Sequence, residues 1–198
     1  MTSTRTRLSA TARKAQIVSE ADILIRERGF QALSIAAVAE ACGVSRMGVL
    51  HHVGSKENLL IEVLEAKERE TTVEVAALLG DTGEQDARRV LDVMMNRNMR
   101  HREVIHLFTV LAAESINPEH PAHAYFAERL QRGARLLAPL FVEYSDEPEL
   151  TALEVLSFMD GLQLNWLRDP TIDIAARWDD FLSRYLIPTR ERALPAQS

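Results

Sequence analysis

Cys42 is the sole cysteine in the 198-residue sequence, so no internal disulfide can brace the fold. Beside Gly43 in a helical stretch it reads as a small buried apolar residue rather than a reactive thiol. Long hydrophobic runs are missing too. Stretches such as Leu107 to Ala113 are far too short to cross a bilayer, and Met1 to Leu8 is basic and polar with no apolar segment behind it. Neither a membrane helix nor a secretory signal is therefore expected, and a cytoplasmic location follows. Catalytic signatures are equally scarce. The segment from Gly43 to Gly48 has neither the glycine spacing nor the preceding strand of a phosphate loop, and no nucleophile elbow or paired carboxylates stand out. Metal-ligand spacing is poor. His51 and His52 are adjacent and point about a hundred degrees apart on a helix, and Glu103 with His106 forms one isolated pair where a di-iron bundle uses two. His101, His120 and His123 carry no further signal, so no metal and no cofactor are expected.

Positive charge is short overall, with a formal net charge of −6, which at first argues against a nucleic-acid partner. The distribution reverses that argument. Residues 1–60 carry eight Lys or Arg against five Asp or Glu, a net of +3, so the remainder carries −9. A basic head on an acidic body brings only the first segment to a polyanion.

Helical periodicity dominates what is present. Residues 1–8 read as a flexible basic arm. Ile17, Ala21, Leu24 and Ile25 then form one stripe that Gly29 ends. Ser34 caps a helix over Ile35–Ala41, Ser45 caps another from Arg46 to about His52, and Ser55 caps a third running to about Leu79. Gly80 to Gly83 breaks the pattern. Further helices are expected over Glu84–Arg97, Arg102–Ser115, Ala122–Tyr144, Glu147–Asp169 and Asp173–Ile187, and the tail 189–198 reads as frayed. With no strand-like alternation, the fold class is all-α, with about nine helices. The expected domains are 9–55, a three-helix unit with its helix-turn-helix at 34–53, and 56–188, a helical regulatory and dimerisation domain.

The helix pair at 34–53 carries the chemistry. Gly43 permits the turn, and Val38, Val44 and Val49 can pack the pair on the first helix. Arg46, Met47 and Gly48 then open a helix able to enter a major groove. Arg46 can reach guanine bidentately and Met47 a thymine methyl, while Gly48 lets backbone come close. Ser55 and Lys56 begin the next helix, where the backbone N–H groups and the dipole suit a phosphate. Candidate DNA contacts are therefore Ser34, Val44, Ser45, Arg46, Met47, Gly48, His51, His52, Ser55 and Lys56.

Taken together, Gly29-Phe30, Leu33-Ser34-Ile35, Val38-Ala39, Cys42-Gly43-Val44-Ser45, His51-His52 and Ser55-Lys56-Glu57-Asn58-Leu59 resemble the DNA-binding domain of the TetR family of bacterial transcriptional regulators. The resemblance covers Arg13 to Leu60, about a quarter of the chain. It implies a homodimeric, ligand-responsive repressor on a near-palindromic duplex operator, with an apolar or amphipathic small-molecule effector. Leu50 stands where the family commonly has a phosphate-binding tyrosine, Val53 where it has phenylalanine, and Met47 where a small residue is usual. The resemblance thus assigns a phosphate role to Lys56 but none to position 50.

For the body, Met95, Met99, Phe108, Leu111, Phe126, Leu130, Phe158, Gln163 and Trp166 are candidate cavity residues, because Met and aromatics make adaptable walls. Val155, Phe158, Met159, Leu162 and Trp166 share one face of their helix, with further leucines on another, and a helix apolar on two faces needs two burial partners. Trp178, Phe181, Leu182 and Tyr185 continue the pattern on the last helix, so both helices are candidates for a two-fold dimer interface. Two rivals stay open: a helical small-molecule carrier or enzyme with a merely structural head, and a DNA-binding protein that answers to a protein partner or to no ligand.

Overall fold

The computed structural model describes residues 8–79 and 86–188. Among them nine α-helices and one 3-10 turn occur, without strands. Residues 1–7 of the expected arm 1–8, the glycine break 80–83, Glu84 and the tail 189–198 lie outside the described residues. The chain divides into two compact units: residues 1–70 with 114–123, and residues 71–113 with 124–198.

The first unit is built on α1 (Ala10–Ala32), α2 (Ile35–Cys42), α3 (Arg46–Val53) and the start of α4 (Lys56–Leu79). Each begins at a serine whose hydroxyl accepts an otherwise orphan backbone N–H: Ser9 from Ala12, Ser34 from Ala37, Ser45 from Gly48 and Ser55 from Asn58, at 3.0–3.1 Å. These caps contribute about 1 kcal/mol each, which matters most for α2 and α3, too short at eight residues to persist alone. Gly29 (φ 77°, ψ 162°) interrupts α1 as expected, but one more turn follows before Leu33. That turn buries Phe30 and, after it, Leu33 against the core of Ile17, Ile25, Val38, Val49, Leu59, Leu60 and Val63. Cys42 is buried there as well, and burial, reinforced by Glu20 against Arg13, pushes its thiol up and keeps it protonated.

Asp22 on α1 is a buried carboxylate that Arg26 approaches at 3.1 Å and Lys67 of α4 at 3.0 Å. Burial works against the Lys67 ammonium, but its hydrogen bonds to Glu70 and Asp22 outweigh that and hold its pKa above the usual lysine range. Removing one partner of such a pair leaves the other desolvated. Asp22→Ala is therefore expected to cost about 2 kcal/mol, less than for a fully buried pair because Lys67 retains Glu70. A lower urea midpoint for loss of helicity would show it, and an unchanged midpoint would reject the tie.

The second unit takes in α5 (Ala87–Arg100), most of α6 (Arg102–Glu114) and α7 (His123–Leu137), α8 (Pro148–Arg168) and α9 (Ile174–Tyr185), and the end of α4 with α5, α7, α8 and α9 encloses Leu91, Met95, Phe141, Val155, Met159, Trp178 and Leu182. The helix expected to run from Ala122 to Tyr144 stops at Leu137 and tightens into a 3-10 turn, Ala138–Phe141. Pro139 has no N–H to continue the ladder, and its ring disfavours α geometry before it. At Gly133 on α7 an added Cβ would lie 3.0 Å from Leu156 Cδ1 of α8, so glycine lets these two helices approach. Arg97 is buried and paired with Glu74 at 3.0 Å. No helix among the described residues is long and apolar enough to cross a membrane.

Several residues expected at a dimer face belong instead to this core: Val155, Met159, Trp178 and Leu182 are at most 3% exposed. The apolar face they define is the one α8 and α9 turn inward. Met95 and Leu111, expected on a cavity wall, are likewise 1% exposed and packed on all sides.

Candidate nucleic-acid interface

The turn between α2 and α3 is fixed by two hydrogen bonds, Gly43 N–H to Glu40 O at 3.0 Å and Val44 N–H to Ala39 O at 2.9 Å. This is a Schellman closure, which requires a left-handed residue at its first exit position. Gly43 supplies it at φ 61°, ψ 40°. The chain then re-enters a helix at Ser45, whose hydroxyl is spent on the Gly48 N–H. A side chain at Gly48 would put its Cβ 3.3 Å from that hydroxyl, so Gly48 protects the cap as well as keeping the outer backbone bare.

Helix α3 buries Val49 and Val53 against α1 and α2. Helical spacing then places Met47 and His51 on the opposite side, while Arg46 stands at the first, open turn. Arg46, Met47 and His51 are exposed, Met47 to 73%, while Leu50 and His52 are half-buried. The result is a short helix presenting one cation, one thioether and one imidazole outward. Of the other candidate contacts, Ser34 and Ser45 are exposed but serve as caps, and Val44 is half-buried.

The exit from α3 was not foreseen. Gly54 has φ 79°, ψ −60°, and the Ser55 N–H bonds to Val53 O at 3.0 Å across it. That is the strained form of the three-residue γ-turn. It sets where Ser55 and Lys56 begin α4. The Glu57 carboxyl is held below the usual range by its own backbone N–H and the Ser55 hydroxyl, against burial and with help from Lys56, so it stays charged at a helix N-terminus where charge of its sign is favoured.

Lys56 is braced rather than loose. Its ammonium lies 4.5 Å from the centroid of the Phe30 ring and donates to Gln31 O at 3.3 Å. A cation over an aromatic face gains about 0.5–1 kcal/mol, so less entropy is lost when the lysine meets a phosphate. The other side of this arrangement comes from the segment 114–123. His120, 9% exposed, meets Phe30 edge to face at 5.6 Å. Its Nδ1 accepts the Ala122 N–H at 3.2 Å, which leaves the proton on Nε2, and this points toward Glu114 Oε2 at 3.8 Å. That separation is too long for a hydrogen bond. His123 ties the same segment through Nδ1 to Ser115 O at 2.8 Å.

Much of the positive charge counted in the head is used internally. Arg13 donates to Gln16 Oε1 at 2.7 Å, Lys14 pairs with Glu62 at 2.6 Å, and Arg26 with Asp22. Arg46 and Lys56 remain as the cations flanking α3. His51 and His52 meet edge to face at 5.5 Å, and no cluster of three His, Cys, Asp or Glu ligands occurs among the described residues.

The body residues divide differently from expectation. Met99 lines an open recess of about 390 Å³ with Leu78, Val93, Asn96 and Arg100. Phe108 and Phe126 meet edge to face at 6.1 Å, with the Arg129 guanidinium 4.9 Å over the Phe108 ring. Leu130 is half-buried on α7, and Trp166 is covered by Arg102 at 4.9 Å. Gln163 is 5% exposed and its Nε2 has no hydrogen-bond partner. Phe158, 36% exposed, stacks on Phe181 of α9 at 3.8 Å and 9°, and Phe181 stacks in turn on Tyr185 at 4.9 Å.

Comparison with known proteins places this geometry. Residues 17–63 match the family model of bacterial regulatory proteins of the tetR family. None of the curated proteins matches the chain in sequence. Among solved structures, a Rhodococcus sp. protein assigned to the TetR family of transcriptional regulators superposes with a TM-score of 0.76 at 20% identity, over 89% of this chain and 100% of that one. NalD, the secondary repressor of the MexAB-OprM multidrug efflux pump in Pseudomonas aeruginosa, gives 0.62 at 20% identity over 89% and 96%. The multidrug binding protein EbrR, complexed with imidazole, gives 0.68 at 21% identity over 94% and 93%.

Proposed function

We propose, from the match of residues 17–63 to the model of bacterial regulatory proteins of the tetR family, that the chain is a cytoplasmic, homodimeric repressor, rather than an enzyme, that leaves its operator when a small molecule binds the body. The observation that carries the reading is α3, a capped helix with Arg46, Met47 and His51 outward and the braced Lys56 just past its far end. Arg46 reads base edges and Lys56 holds phosphate, with Ser34, Val44, Ser45, Gly48, His52 and Ser55 near the backbone. Two such heads would span successive major grooves about 34 Å apart.

A dimer surface is supported by the side of α8 and α9 that keeps Phe158 exposed, with Phe181, Tyr185, Leu162 and Trp166 half-buried beside it. Control by a ligand requires only that the effector bind one arrangement of the heads better, a difference of typically about 1–3 kcal/mol. The likeness to NalD, a repressor of a multidrug efflux pump, and to EbrR, a multidrug binding protein, supports a small-molecule effector.

Electrophoretic mobility of DNA from beside its own coding region, with excess non-specific competitor, tests the reading. The expected result is retention of one fragment, with Arg46→Ala altering base preference at one position per half-site. Lys56→Ala should weaken all sequences alike and reduce the salt slope by about one unit per head, or about two for a dimer. No preference for any fragment at moderate ionic strength would overturn the function, and an unchanged slope the role of Lys56.

A further inference from the structure

Within the second unit, α4 and α5 are tied together at two places. Arg89 donates to Leu79 O at 2.9 Å, and further along Arg97 pairs with Glu74 at 3.0 Å while the His101 ring meets the other Glu74 oxygen at 3.1 Å. Leu78, which lies between the two ties on α4, lines an open recess of about 390 Å³ with Val93, Asn96, Met99 and Arg100 of α5. Small organic ligands occupy pockets of about 300–1,000 Å³. Val93 and Met99 are half-buried against the core and Leu78 is 44% exposed, so one part of the lining is apolar.

The polar part comes from two side chains that the fold does not use. Of the arginines on α5, Arg88 is spent on Asp92 and Asp179, Arg89 on the Leu79 carbonyl and Arg97 on Glu74. Arg100 makes no hydrogen bond or ion pair among the described residues, and Asn96, one turn earlier, makes none either. Helical side chains lean toward the N-terminus of their helix, so the Arg100 guanidinium reaches back along the recess toward Asn96 rather than past the helix end. No carboxylate lines the recess. Glu74 is committed to Arg97 and His101, and Asp92 to Arg88, so neither neutralises Arg100. A guanidinium presents a planar fork of donors that matches a carboxylate bidentately, and the Asn96 amide adds a donor beside it. Leu78, Val93 and the adaptable Met99 gain from contact with an apolar group. Resting on the reading of a ligand-responsive body, we propose that this recess binds an amphipathic organic carboxylate: Arg100 takes the carboxylate, Asn96 donates to it, and Leu78, Val93 and Met99 receive the apolar part.

Calorimetric titration of the full-length protein with three probes of one shape, 4-phenylbutanoate, 4-phenylbutanol and 4-phenylbutylamine, decides it. The carboxylate is expected to bind about tenfold more tightly than the alcohol, and the amine most weakly. Arg100→Gln should bring carboxylate and alcohol together. Leu78→Ser should weaken both about threefold and keep the preference for the carboxylate. Arg168→Gln, which removes an exposed cation outside the recess, should change neither. Urea unfolding of the variants distinguishes a lost contact from a lost fold. The site is overturned if the carboxylate does not bind, if the amine binds best, if folded Arg100→Gln retains the preference, or if Arg168→Gln loses it. The titration involves no DNA, so failure of the operator experiment leaves it standing, and carboxylate binding that fails to release DNA rejects the effector reading but not the site.

Discussion

Replacing Phe158 with aspartate is expected to convert the protein to a monomer and to weaken operator binding by about a hundredfold or more, while its helical content stays the same. Phe158 is the most exposed member of a parallel aromatic stack with Phe181 and Trp178. Its loss removes about 1 kcal/mol of ring stacking within the chain. In a two-fold interface the same residue appears twice, so one substitution sets two carboxylates in an apolar contact. The desolvation and repulsion exceed what such a surface gains from burial. Once the heads separate, each half-site is bound independently, and the effective-concentration advantage of linked binding, commonly about 10²–10⁴, is lost. Sedimentation at micromolar concentration and mobility titration read the two effects. A variant that stays dimeric would place the interface elsewhere.

Gly54→Ala is expected to destabilise the head by about 2–3 kcal/mol and to abolish specific DNA binding at concentrations where the parent protein saturates. The backbone at φ 79°, ψ −60° is one that residues with a Cβ avoid at a cost of about 1–3 kcal/mol. The new methyl would also sit 3.2 Å from Asn58 Nδ2. The strain can relax only by opening the turn, which moves the Ser55 cap and with it Lys56. Stability and recognition should therefore fail together, unlike Lys56→Ala, which should leave folding intact. A urea midpoint and a mobility shift both equal to those of the parent protein would show that the turn tolerates a side chain.

The two outcomes draw on features that the sequence revealed unequally. The caps Ser34, Ser45 and Ser55 and the turn at Gly43 were legible because they are local: a hydroxyl and the N–H it accepts lie three residues apart. The overrun of α7 past Pro139 arose because Phe141 continues the apolar phase after the helix has ended. Choosing an interface face on α8 failed for Val155 and Met159 because that helix is apolar on more than one side, and which side turns inward is a tertiary fact. Net charge over residues 1–60 overstated what DNA can meet, since ion pairs such as Lys14 with Glu62 are invisible to a count. Gly54 went unread because a γ-turn has no pattern beyond a single glycine. The cradle of Phe30 around Lys56 joins residues 26 positions apart, beyond any local signal.

His120 and its neighbours bear on how this protein could be rebuilt. The stretch 114–123 folds with residues 1–70, supplying the imidazole that meets the Phe30 edge. Grafting the reading head onto a foreign sensor by cutting after Glu70 would strip one wall from the ring that steadies Lys56. A working hybrid must borrow two separate stretches of the parent gene, the second only ten codons long.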